Sequence, residues 1–126
     1  MSETRAPRDI NDIKETVKLA YQALEDKKAS DITIIDISSL SVVADYFIIA
    51  SADNIRQTGA LADNVEEVLG RSGILPKQIE GRSTGNWILM DYYDVIIHVF
   101  DKEHRLFYDI ERIWKDGRKI VDISEL

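Results

Sequence analysis

Asp91 and Asp94 stand on either side of a short break between two apolar runs, Trp87–Met90 and Val95–Phe100. That position gives the pair two readings. Aspartate at a turn accepts hydrogen bonds from nearby backbone, which is structural work only; carboxylates at a hairpin tip also offer acidic contacts to a basic partner. His98 lies inside the second apolar run and reads as a hydrogen-bonded structural imidazole, not a ligand. The only other imidazole is His104, too few for a multi-histidine zinc cage. The chain has no cysteine, so disulfides, thiolate catalysis and thiolate metal sites are excluded. Neither a P-loop nor a glycine-rich dinucleotide fingerprint is present. Asp36 closes a β-branched run and is equally an edge carboxylate or a functional one, since an ionised aspartate is rarely buried unpaired. These groups point to no catalytic residue, no metal site and no cofactor.

The elements that position them follow from the pattern of apolar residues. Both runs have the length and composition of strands, rich in Trp, Ile, Leu, Val and Phe, and a hairpin joins them. Alternation puts Trp87, Leu89 and Asp91 on one face and Ile88, Met90 and Tyr92 on the other. Both faces therefore carry apolar groups, so the strands are covered twice or leave an apolar patch for a partner. Upstream, Ile13, Val17, Ala20, Tyr21 and Leu24 keep helical spacing, with Asp9 placed as an N-cap. Ile32–Ile37 reads as a strand and Tyr46–Ser51 as a second, nearly all apolar and so central. Asn54 with Gln57 three residues on resembles a capping box for a helix through Leu61, Val65, Val68 and Leu69. Gly70 and Gly73 bracket its end, and Pro76 blocks continuation. Ile79–Gly81 reads as a short strand. Asp101 or Asp109 caps short helices holding Leu106, Phe107, Ile110, Ile113 and Trp114, and Tyr108, Glu111 and Trp114 pack this segment onto the sheet. This order predicts an α+β, or mixed α/β, domain with a small mixed sheet of about five strands flanked by helices.

Size and charge bound the function. The 126 residues suit one domain, with 44% hydrophobic and 31% charged residues, an ordinary globular balance. The first eight residues are expected to fray, no presequence or membrane span is read, and a cytoplasmic location is expected. The net charge of −7 disfavours binding through nucleic-acid phosphates, which needs a concentrated basic surface. The one basic cluster, Lys115–Lys119, reads as part of a solvated C-terminal tail over 115–126, with a phosphate contact as the alternative. A protein partner with a basic surface is the better match.

The blocks Glu80-Gly81, Trp87-Ile88-Leu89, Asp91 through Phe100, and Arg105-x-Phe107-Tyr108-x-Ile110-Glu111-x-Ile113-Trp114 together resemble the signature of the ribosomal silencing factor family, RsfS or Iojap. Lys28-x-x-Asp31-Ile32, Ile35-Asp36, Asp45 through Ile49 and Arg56-Gln57 precede them in the family's order, so the resemblance covers roughly Ile10 to Trp114. One departure is Tyr93, where many relatives have glycine; the turn is expected to feel it, because glycine takes positive φ at little cost. The resemblance implies a nucleotidyltransferase-like fold without that enzyme class's Asp-x-Asp pair or Gly-Ser helix start, hence no enzyme. It implies a translation repressor that binds ribosomal protein L fourteen on the large subunit and sterically blocks joining of the small one. The implied contact has Trp87, Leu89 and Tyr92 at its centre and Asp91 and Asp94 at its rim. Peripheral rRNA contact by Arg118 and Lys119 and a homodimer are further expectations, and a nucleotide-binding or nucleotidyltransferase-type enzyme is the alternative.

Overall fold

The computed structural model describes the backbone of residues 10–126 and the side chains of residues 12–126; the proposed cap Asp9 and the first eight residues lie outside the described residues. The helix α1 (Ile10–Asp26) buries Ile13, Val17, Ala20 and Leu24 along one stripe, as their spacing predicts. Lys28 ends it in the left-handed conformation, φ 62°, with its amide donating to Glu25 O at 2.9 Å and that of Ala29 to Leu24 O at 3.0 Å. This bond pair closes many helices, usually around glycine. The second long helix, α2 (Ile55–Arg71), ends the same way with Gly73 at φ 78°. At its start the Asn54 side chain accepts from the Gln57 amide at 2.9 Å, while Gln57 reaches back to the Asp53 amide at 2.6 Å. The box predicted from these residues thus closes one residue earlier than the standard pattern.

Among the described residues, six strands form one mixed sheet in the order β3-β4-β5-β2-β1-β6. They are β1 (Ser30–Asp36), β2 (Tyr46–Ala52), β3 (Gln78–Glu80), β4 (Trp87–Asp91), β5 (Val95–Asp101) and β6 (Arg118–Ile120). Only β2 and β5 pair in parallel, at the centre of the sheet, and the other pairs are antiparallel. Parallel neighbours need a long crossover, which α2 with β3 and β4 supplies. Both α1 and α2 pack on one face, over Ile34, Tyr46, Ile48, Ala50, Ile88, Met90, Val95, Ile97 and Val99.

The mixed sheet flanked by helices is the one expected, with six strands against about five. One expectation needs correction: the C-terminal segment is not a solvated tail, since Arg118 pairs with Asp36, Lys119 with Ile35 and Ile120 with Ile34. Ile120 is buried on the helix face, and Gly117 makes the approach possible, since a Cβ there would lie 2.5 Å from Ile35 Cγ2. A three-residue strand with one apolar residue is too short to show a period.

Lys28 is exposed at a left-handed position, where an L side chain is disfavoured by about 1–2 kcal/mol. Lys28→Gly should therefore raise the unfolding free energy by about 0.5–1 kcal/mol in a denaturant titration, net of glycine's greater unfolded-chain entropy.

Candidate interaction face

The second face of the sheet carries no long helix among the described residues. Its buried floor is Ile35, Ile37, Ala44, Ile49, Ile96, Phe100 and Ile110, and the half-buried side chains of Phe47, Trp87, Leu89 and Trp114 lie on top. Trp87 stacks on Phe100 at 5.0 Å between ring centroids and meets Tyr108 at 4.8 Å. Phe47 meets Trp114 edge-on at 5.3 Å. Tyr108 in turn meets Phe107 edge-on at 5.2 Å. The aromatic surface thus runs from the sheet out to Phe107, which is 78% exposed beside Leu106 at 82%. A contiguous apolar surface of this kind, fringed by charge, is what an interaction site needs.

Two short helices, α3 (Lys102–Tyr108) and α4 (Ile110–Ile113), hold the outer part of this surface. Asp101 caps α3, accepting from the His104 amide at 2.9 Å. The segment is pinned by Arg105, 9% exposed, whose five N–H donors all find acceptors. Nε and Nη2 grip Glu111 at 3.1 and 3.0 Å. Nη2 also donates to Thr33 Oγ1 at 3.0 Å, and Nη1 to Ser51 Oγ at 2.8 Å and Asp31 O at 2.5 Å. The last acceptor is available because β1 is irregular between Ser30 and Thr33 and Asp31 takes φ 48°. Arg105 therefore ties α3 and α4 to two strands. Its guanidinium holds the Glu111 carboxyl below the usual carboxylate range.

The residues expected at the site divide. Trp87 and Leu89 lie half-buried on this face, beside each other in β4. Asp91 shares the face; its Oδ1 accepts the Tyr93 amide at 2.8 Å, so turn chemistry and a rim position coexist in one side chain. Tyr92 is corrected: it is fully buried on the helix side, continuing the alternation of Met90, and burial pushes its phenol up to about 12. Asp94 is corrected too. It is buried, because its carbonyl accepts the amides of Asp45 and Tyr46 at 2.8 and 3.1 Å and draws the residue in against β2. Tyr93 sits at φ 70°, so the turn keeps a left-handed residue despite the side chain. The acidic rim instead joins Asp91 to Glu80, which faces Leu89 across the β3–β4 pairing. At the opposite edge Lys119 faces Ile35.

Sequence reasoning missed Phe47, Phe100, Phe107 and Glu80 as members of this surface. Strand parity aligns Phe47 with Ile49 and Phe100 with His98, but the parallel register that sets Phe47 opposite Ile96 has no local signature. Glu80 could have been found from the hairpin pattern once β3 was paired.

His98 sits at the centre of this face. Its Nδ1 accepts the Trp87 indole N–H at 3.0 Å, and burial pushes its pKa down to about 4, so the imidazole is neutral near pH 7.

Replacing Arg105 with Ala leaves Glu111 and the Asp31 carbonyl without their cation, and should lower the unfolding free energy by about 3 kcal/mol at pH 7. Because the folded carboxyl of Glu111 lies below its ordinary value of 4.5, the pair stabilises fully above that pH. Its contribution fades as pH falls through the folded value, so in denaturant titrations the gap between wild type and variant should narrow in acid.

Residues 10–126 match the family model described as ribosomal silencing factor during starvation, RsfS. The ribosomal silencing factor RsfS of Bacillus subtilis is 38% identical over 104 residues, covering 82% of this chain and 88% of that protein. A crystal structure of a Chromobacterium violaceum protein superposes with a TM-score of 0.80 at 41% identity, covering 82% of this chain and 86% of the other. One from Bacillus halodurans superposes with a TM-score of 0.76 at 32% identity, over 85% of this chain and 97% of the other. With a match across all the described residues and relatives this similar over most of their length, the chain belongs to the ribosomal silencing factor (RsfS) family.

Proposed function

We propose that this chain represses translation by seating its Trp87 face on ribosomal protein L fourteen of the large subunit, so that the small subunit cannot join. The observation that carries this reading is the sheet face left without a long helix, where Trp87, Leu89 and Phe47 stay half-buried over an apolar floor. A standard protein interface covers about 800 Å² per partner, and half-buried Trp87, Leu89 and Phe47 with exposed Phe107 supply an apolar centre for one. Asp91 and Glu80 give the face an acidic rim, and the chain's net charge of −7 favours approach to a basic protein while rRNA phosphates repel misplaced docking. Lys119, exposed at the far edge, is then the residue to touch a neighbouring phosphate. This role needs no reaction and places the chain in the cytoplasm, where subunits meet.

An enzymatic reading finds little support in the carboxylates. Oδ1 of Asp36 accepts the Ser38 amide at 3.0 Å and its hydroxyl at 2.6 Å, a local turn arrangement. Among the described residues no group of three or more His, Asp or Glu is placed to hold a metal ion.

Trp87→Ala should bind isolated large subunits at least tenfold more weakly in co-sedimentation, as expected for an anchor whose truncation costs about 2 kcal/mol or more. The same variant should lose the ability to lower the yield of joined ribosomes from purified subunits. Equal sedimentation of variant and wild type would contradict the assignment of this face.

A further inference from the structure

The register of β5 sets His98 between Leu89 of β4 and Ile49 of β2, in the middle of the Trp87 face. Its ring is only 4% exposed. Since Nδ1 accepts the Trp87 indole N–H, the proton of the neutral imidazole is on Nε2. That Nε2–H is buried and meets no acceptor among the described residues; the rings of Phe47 and Phe100 are its aromatic neighbours, at 4.8 and 6.2 Å between centroids. An unmet buried donor destabilises a fold, and such groups call for an explanation. The bond to Trp87 uses only the other nitrogen. Phe47, Trp87 and Leu89, the half-buried side chains of the same face, surround the imidazole through register and ring contacts, and they are the groups that must move for an outside acceptor to reach Nε2.

We propose that His98 is a recognition residue of the partner face, donating its Nε2–H to a neutral carbonyl oxygen of the docked protein once the side chains above it shift. The inference rests on the Trp87 face being the docking surface. A neutral acceptor is the chemistry that fits, because Asp91 and Glu80 on the same face disfavour a carboxylate or a phosphate there. A partner lacking that oxygen leaves the donor unmet inside a desolvated contact, so His98 acts on specificity as well as affinity.

The test compares wild type, Trp87→Ala, His98→Phe and His98→Gln for binding to isolated large subunits and to purified L fourteen, with denaturant unfolding run alongside. His98→Phe keeps an aromatic ring but removes both the Nε2–H donor and the Nδ1 acceptor of the Trp87 indole; it should bind about tenfold more weakly while remaining folded, and imidazole nitrogen NMR of wild type separates the donor from the acceptor. His98→Gln retains an amide donor and should recover part of the loss. Weak binding by Trp87→Ala with unchanged binding by His98→Phe overturns the role of His98 and leaves the face intact. Unchanged binding by both overturns the face itself, and the His98 inference with it. If His98→Phe does not fold, imidazole nitrogen NMR of wild type decides. The His98 Nε2–H resonance should move downfield and exchange more slowly on addition of L fourteen, and an unmoved resonance overturns the proposal.

Discussion

The central strands of this sheet are apolar on both sides, and the two long helices cover only one of them. The pattern of β2 and β5, buried at nearly every position, requires cover on each face, as in sheets flanked by helices twice over. Here α1 and α2 pack on each other and on the same side. The second face is left to large side chains, Trp87, Phe47 and Trp114, and to two short helices at one end. Burying that face is where further stabilisation is available, at roughly 25 cal/mol per Å² of apolar surface removed from water. A partner that covers it gains this energy with no change of fold in the chain.

What keeps the exposed part of that surface from collapsing or fraying is polar. Leu106, Phe107 and Ile113 project from helices of one or two turns, too short to be stable on their own. Arg105 supplies the anchor, joining α3 to Glu111, to β2 through Ser51 and to the irregular start of β1 through Thr33 and Asp31. A fully bonded guanidinium is geometrically demanding, so the aromatic ladder is held in place. At the other end, Gly81 at φ 91° lets the preceding turn press against the Trp87 carbonyl, where a Cβ would lie 2.0 Å from its oxygen. Close packing of the turn thus positions the Trp87 backbone, and the indole N–H donates to His98.

Much of this was legible in the residues. The helical stripe from Ile13 to Leu24, the cap at Asn54, the stop at Gly73 and the hairpin from Trp87 to Phe100 all follow from period and turn chemistry. So does the two-faced apolar character of the hairpin, which by itself calls for cover on both sides or a partner. The rest depends on contacts distant in sequence. Tyr92 stands at the contact's expected centre only on the family resemblance, while strand parity sets it with Ile88 and Met90, opposite Trp87, on the side the helices cover. For Asp94 the hairpin break suits turn chemistry and a partner contact alike, and only the resemblance favours the rim; its burial comes from the amides of Asp45 and Tyr46, about fifty residues earlier. β6 has no pattern of its own and is defined by pairing with β1. Arg105 stands in the sequence only as the first residue of the last signature block, and only the fold brings Asp31, Thr33 and Ser51 to it.

The central claim is that the Trp87 face, and not the helix face, is what a ribosomal partner covers. Hydroxyl-radical footprinting of the chain, free and bound to isolated large subunits, addresses it residue by residue. The account predicts protection of Trp87, Phe107 and Tyr108 in the complex, with Tyr21 on α1 oxidised equally in both states. Protection of Tyr21 with unchanged oxidation of Trp87 and Phe107 would contradict it.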